Sequence, residues 1–339
     1  YPIEVSGGLA DNYHFVYHGS SLIVGEGAQH IDVFEVDSNA TYGDGDLQLI
    51  GVATSGLPVG YESSNPDVLE VNGTKLKVRG AGEATIYAYQ EGDANFLPAT
   101  ELNATIVVYS AELHAIADPK SKAYLDAVPE LTFHYDGFVN DENASILDLA
   151  PVASTVATDS SVAGEYPIEV SGGLADNYHF TYHGSSLIIG EGAQHIDVFE
   201  VDSNATYGDE PLQLVAEATS GLPVSFESSN PDVLEGNGTQ LKVRGAGVAV
   251  IYALQDGSAN YDAAAEVNAT VTVFTAQLHA IAEPKSRAYL EENPELTFRY
   301  EGFVNDENAS ELEEEPSVET AATVASPAGE SPITVSGGE

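Results

Sequence analysis

The sequence has no cysteine, no tryptophan and no methionine, and its 10 Lys and Arg face 54 Asp and Glu, for a net charge of −44. Each shortage excludes something. Without cysteine there are no disulfides, no zinc thiolates and no cysteine nucleophile, so stability has to come from packing. With so few cations the surface repels nucleic acid and anionic lipid, because both need positive charge at the contact. The same surface keeps a β-rich chain soluble, attracts divalent cations and suits high salt. No apolar run approaches the ~20 residues of a membrane helix, so membrane insertion is not expected. The chain opens on Tyr1 rather than Met and lacks a signal-peptide pattern, which reads as a processed form or a window on something longer. Hydrophobic residues still make up 43%, enough for packed cores and too many for a disordered acidic tail.

What the chain has is a long repeat. The run Tyr1–Phe15 returns unchanged at Tyr166–Phe180 and begins again at Ser331 as Ser-Pro-Ile-Thr-Val-Ser-Gly-Gly, each time at an offset of 165 residues. That period is too long for a solenoid unit and fits a pair of domains. Apolar alternation and turn clusters divide each period in two, with no helical spacing. Residues 28–110 read as a seven-strand sandwich. Its turns are Tyr42-Gly43-Asp44, Ser55-Gly56-Leu57-Pro58, Ser63-Ser64-Asn65-Pro66 and Asn72-Gly73, the last a hairpin signal. Residues 111–192 form a second kind of module, 193–275 repeat the first, and 276–339 are an incomplete copy of the second. Residues 1–27 read as a terminal hairpin: Tyr13, Phe15 and Tyr17 share one face, His18-Gly19-Ser20 turns, and Ser21–Val24 return. The joints at Val108–Leu113 and Gly190–Ala193 carry no flexible linker, so the expected fold is an all-β rod of tandem Ig-like β-sandwiches.

The second module resembles the MBG-type (YGX) Ig-like repeats of bacterial surface proteins. The resemblance is carried by Pro129-Glu130-Leu131-Thr132-Phe133, Gly137-Phe138-Val139-Asn140, Gly164-Glu165-Tyr166-Pro167-Ile168, Ala175-Asp176-Asn177-Tyr178 and Gly184-Ser185-Ser186-Leu187-Ile188. Where that family has Tyr-Gly-Asp, this copy has Tyr124-Leu125-Asp126. The first module is similar to the companion Ig-like repeat through Tyr42-Gly43-Asp44, Ser63-Ser64-Asn65-Pro66-Asp67-Val68 and Gly80-Ala81-Gly82. The resemblance implies a large exported repeat protein, hence an extracellular or cell-surface location.

Candidate chemistry is sparse. Asn-x-Ser/Thr occurs at Asn39, Asn72, Asn103 and Asn143, and again at Asn204, Asn237, Asn268 and Asn308. Each has an Asp or Glu two residues earlier. That extended form resembles the acceptor of bacterial oligosaccharyltransferases, so N-linked glycans are expected on exposed loops or edges. Calcium is a second candidate, through Asp44 and Asp46 and through Asp141 and Glu142. Hard cations want converging oxygens, yet no Asp-x-Asp-x-Asp-Gly loop is present and the first pair becomes Asp209-Glu210-Pro211 in the next copy. His14 with His18, and His179 with His183, share a strand face and read as exposed residues opposite the Tyr/Phe side. No Gly-x-Ser-x-Gly, phosphate-cradling glycine loop or His-Glu-x-x-His is present, and every candidate occurs in duplicate, so no enzyme and no cofactor are expected. The reading is a structural subunit or segment of a bacterial filament, stalk or adhesin. Its expected partners are copies of itself, joined head-to-tail by residues 1–27 completing the last module of the next copy. The alternative is a carbohydrate- or partner-binding array, against which the absence of tryptophan counts.

Overall fold

The computed structural model describes residues 1–338. Among these, strands dominate and helix is confined to the 3-10 turns Ala144–Ile146 and Ala309–Glu311. No helix of the described residues is long and apolar enough to cross a membrane. The chain divides into two compact units, one of Tyr1–Lys122, Ala127–Asp159 and Gly164–Ile189, the other of Ala123–Asp126, Ser160–Ala163 and Gly190–Glu339.

In the first unit, alternation builds the first sandwich. Strand Gly82–Tyr89 buries Ala84, Ile86 and Ala88 on one face, as a half-buried strand must. It pairs antiparallel with Leu102–Tyr109, from Gly82↔Val108 to Ala88↔Leu102. Asn39–Thr41 and Gly60–Ser63 complete that four-stranded sheet. Facing it are Leu47–Gln48, Lys75–Val78 and Leu69–Asn72. Leu69, Leu76, Ile86 and Ile106 meet between the layers, fully buried. The Asn72-Gly73 signal does mark a hairpin, but Asn72 pairs with Lys75, so the loop is Gly73-Thr74. Gly73 has φ +64° and Thr74 is not among the residues of positive φ, which is the pattern of a II′ turn rather than I′.

The next sandwich follows with only Ser110 between strands Leu102–Tyr109 and Ala111–Ala117. Ala111–Ala117 sits between Phe133–Asp136 (antiparallel) and Tyr178–His183, parallel from Ala111↔Tyr178 to Ile116↔His183. Ser185–Gly190, Gly164–Ser171 and Val152–Thr155 lie side by side in the facing sheet. Leu113, Ile168 and Leu187 fill the interior.

Residues 1–27 differ from expectation. Pro2–Ile3 pairs with Ser20–Ser21, Gly27 bridges to Phe96, and every residue from Tyr1 to Ala28 is exposed. Tyr13–Tyr17 and Ser21–Val24 do not form the expected hairpin. Their counterparts form full strands at Tyr178–His183 and Ser185–Gly190, although Tyr13–Gly25 differs from Tyr178–Gly190 only by Val16 for Thr181 and Val24 for Ile189. What differs is the partner: the later copy lies on Ala111–Ala117 and Gly164–Ser171. An isolated hairpin in water is marginal.

The second unit repeats the first sandwich, with Leu234, Leu241, Ile251 and Val271 fully buried. After Val273 no described residue is buried. His279–Ala282 pairs with Phe298–Glu301, and Ser317–Thr320 with Ile333–Ser336. In the corresponding earlier sandwich one sheet also has Tyr178–His183, and the other has Ser185–Gly190 with Lys120–Ala123 beyond it. Here those two edges are unpaired among the described strands, and a cleft of about 660 Å³ opens beside Ala282, Leu296 and Ile333.

Candidate functional site

The most fully built polar cluster is the joint between the two sandwiches of the first unit. Its first piece is the turn Thr41-Tyr42-Gly43-Asp44. Asp44 N–H donates to Thr41 O (2.9 Å), Thr41 N–H donates to Asp44 Oδ2 (2.7 Å), and Tyr42 N–H donates to Tyr109 O (2.8 Å). Gly43 has φ +99°, and a Cβ there would come within 2.8 Å of Val139. Only glycine meets both demands, and the close approach aims the Tyr42 ring at the next sandwich.

There Tyr42 packs edge-on against Tyr178 (centroids 5.7 Å, planes at 85°), and Tyr178 against Phe138 (5.5 Å, 76°). Both phenols donate to one carboxylate: Tyr42 to Glu142 Oε1 at 2.8 Å and Tyr178 to Glu142 Oε2 at 2.6 Å. Val139 N–H donates to the Tyr178 hydroxyl (3.0 Å). Asn140 and Asp141 adopt left-handed φ of 55° and 58°, which turns the chain so that Glu142 points inward. Asn177 ties the other side: its Oδ1 accepts from Ala81 N–H (2.8 Å) and its carbonyl from Ala111 N–H (2.9 Å). One hydrophobic core runs from Ala40 through Val108, Ala111 and Leu113 to Tyr178.

Burial, and then the neighbouring Glu142 carboxylate, push both phenols above the ordinary tyrosine range, Tyr178 the further. They stay protonated and keep donating. Charge-assisted bonds of this kind are stronger than neutral ones. In the second unit Tyr207 likewise donates to Glu307, Gly208 lies against Val304, and Asn305 and Asp306 repeat the left-handed pair. A second phenol is missing there among the described residues, and Tyr207 is less buried than Tyr42. The second unit also holds another joint. The Tyr124 ring meets Tyr261 edge-on at 5.2 Å, Asn260 Oδ1 accepts from Ala163 N–H (2.9 Å), and Gly192 bonds to Asn260 and Asp262.

With both phenols donating to Glu142 across a shared core, the joint can bind its two sandwiches together. Sequence reasoning singled out Glu142 as a calcium ligand, but both its oxygens are engaged by phenols. Asp44 caps its own turn, Asp46 lies 3.8 Å from Lys75, and Asp141 is exposed. No group of three or more His, Asp or Glu able to hold a metal occurs among the described residues. The roles of Tyr42 and Tyr178 were missed, although the Tyr-Gly-Asp turn and Asn177-Tyr178 marked their positions. All eight sequon asparagines are exposed: Asn39, Asn72, Asn103, Asn143, Asn204, Asn237, Asn268 and Asn308. Asn39 and Asn204 start edge strands, Asn72 and Asn237 end at hairpins, and Asn103 and Asn268 lie within strands. Asn143 and Asn308 cap the 3-10 turns through Oδ1, a bond that does not use Nδ2, the atom a glycan takes. His179 bonds to Ser110, and His183 meets His114 rather than His179.

Residues 113–188 and 278–339 match the MBG domain (YGX type), so these two stretches are similar to MBG-type repeats. No curated protein matches the chain. Among solved structures, Drosophila N-cadherin EC1-4 aligns at 12% identity over 74% of this chain and 76% of that one, with a TM-score of 0.26. The surface layer protein SbsC, domains 1-6, aligns at 12% identity over 96% of this chain and 51% of that one (TM-score 0.22). The I9-I11 tandem of titin aligns at 13% over 72% and 99% (TM-score 0.19). Scores this low bear no weight.

Proposed function

We propose that the chain is a structural segment of an extracellular bacterial filament, stalk or surface adhesin. The observation that carries the proposal is the shared core of the first unit, bolted by Tyr42, Tyr178 and Glu142. A chain that only displays independent modules has no use for a core running through a joint. A chain that holds something at a distance, or bears load, does. The two stretches that match the MBG domain support this reading.

Two finer features belong to the proposal. The eight exposed asparagines carry N-linked glycans, which would shield strand edges from pairing and proteolysis. And the open edges of His279–Ala282 and Ile333–Ser336 are completed by a hairpin of the Tyr178–Gly190 kind. Residues Tyr13–Gly25 carry that sequence and are exposed, so one copy can donate them to the next. Such a contact is heterologous and need not close, which makes a filament.

Sedimentation of the full chain, and of a variant lacking residues 1–27, tests the joining. Concentration-dependent oligomers of the full chain, a monomeric variant and one-to-one binding of a Tyr13–Gly25 peptide by that variant are expected. A full chain that stays monomeric and a variant that ignores the peptide would contradict it. The glycans are tested by intact mass of natively produced material, with sugar-sized increments expected and lost on Asn→Gln substitution.

A further inference from the structure

The outer face of the sheet Phe133–Asp136, Ala111–Ala117, Tyr178–His183 collects four of the chain's nine histidines: His114, His134, His179 and His183. They face solvent because Leu113, Ala115 and Tyr178 take the core side, and alternation sends their neighbours outward. Along the parallel pair, each residue of the first strand leans toward the residue two beyond its register partner. Ser110 Oγ meets His179 Nδ1 at 3.0 Å, Thr181 Oγ1 donates to Glu112 Oε1 at 2.7 Å, and His114 Nδ1 meets His183 Nε2 at 2.9 Å.

We propose that His114 and His183 form a two-histidine site for a divalent transition cation of the imidazole-seeking class, Cu²⁺ or Ni²⁺. The separation of the two nitrogens carries the proposal. Metal–imidazole bonds of about 2.0–2.1 Å meeting at a right angle place their nitrogens ~2.9 Å apart, and a right angle is the angle of tetragonal Cu²⁺ or Ni²⁺. In the metal-free pair one nitrogen holds a hydrogen and the other a lone pair. Binding needs only that this hydrogen move to the far nitrogen of its own ring; both lone pairs then converge, with no redox step and no other reactant. The pair is open to solvent, so water fills the remaining positions.

The surroundings fit a cation. Glu112 sits on the same face, its carboxyl held below the usual range first by the Thr181 hydroxyl and also by the imidazoles of His114, His179 and His183. Asp136 is the register partner of His114 on the other side. The chain's overall negative charge raises the local concentration of cations. His134 is drawn away by Asp118 at 2.8 Å, and His179 is occupied by Ser110, so neither belongs to the pair.

The test is a Cu²⁺ titration of the whole chain at neutral pH, followed by calorimetry and by the electron paramagnetic resonance of the bound ion. One site with two nitrogen ligands from imidazole is expected. His114→Ala and His183→Ala should each weaken it at least about tenfold, while His134→Ala and the pair His14→Ala, His18→Ala leave it unchanged. His183→Asn, which keeps a hydrogen-bonding group toward His114, should lose the metal site while keeping the wild-type melting temperature, so loss of binding is separated from loss of fold. A site that survives in the His114→Ala/His183→Ala chain, or that vanishes with His14 and His18 instead, would overturn the proposal. So would no binding at all, which would leave only a His–His hydrogen bond.

Discussion

Single residues show where this fold is strained and where it is bolted. Leu125 has φ +67° in a turn closed by Asp126 N–H to Ala123 O (3.2 Å) and Ala123 N–H to Asp126 Oδ2 (3.3 Å). That is the turn Gly43 makes at Thr41–Asp44, with leucine in glycine's place. Left-handed backbone costs a non-glycine residue about 1–2 kcal/mol, and Leu125 is 54% exposed, so its side chain returns little. Leu125→Gly should therefore stabilise the module by up to about 1 kcal/mol, part of the relief being offset by glycine's freer unfolded chain; the shift in calorimetric melting checks it. At the joint, Tyr178→Phe leaves Glu142 short of a donor and should cost about 1–3 kcal/mol. The joint also dictates a pH dependence. A phenol whose folded pKa is raised binds its proton more tightly folded than unfolded. That stabilisation is complete below the ordinary value of about 10 and is lost as pH rises through the folded value. The melting temperature should fall above about pH 10, and the double variant Tyr42→Phe/Tyr178→Phe should fall less steeply.

At the scale of strands and turns, near-identical sequence takes two structures. Tyr178–His183 is a strand where Ala111–Ala117 offers its edge; Tyr13–His18 is not, because no strand pairs with it. The turn at Tyr42-Gly43-Asp44 and the hairpin at Asn72-Gly73 were legible, because each is a local rule. The fate of residues 1–27 was not, because strand pairing depends on a partner that local sequence does not contain. The joint was half legible: the absent linker at Ser110 was plain, but the meeting of Tyr42 with Glu142, far apart in sequence, belongs to the tertiary fold. The histidine pair was mislaid for the same reason, His183 being sought beside His179 along one strand rather than across two. The two repeats also offer a matched experiment. Leu113 is fully buried and its counterpart Leu278 only partly so. Leu113→Ala should cost about 2–5 kcal/mol, and Leu278→Ala distinctly less, until the open sandwich is completed.

For the whole molecule, a charge of −44 on 339 residues opposes every compact state through self-repulsion. Few of these charges are neutralised by neighbours, since the Arg79–Glu70 and Arg244–Glu235 pairs are surface contacts of small individual worth. The melting temperature should rise with salt, most steeply as the screening length falls from ~30 Å at 0.01 M to ~8 Å at 0.15 M. The assembly proposed between copies should strengthen over the same range, because it would bring like charges together.

The account turns on whether the sandwich of residues 276–338 is an acceptor. Amide hydrogen exchange at His279–Ala282 and Ile333–Ser336, measured with and without a peptide of residues Tyr13–Gly25, asks this directly. The expected result is fast exchange in the free chain and strong protection in both strands once the peptide binds, with a scrambled peptide inert. Protection already as deep as in Ala111–Ala117, or no change at saturating peptide, would contradict the account.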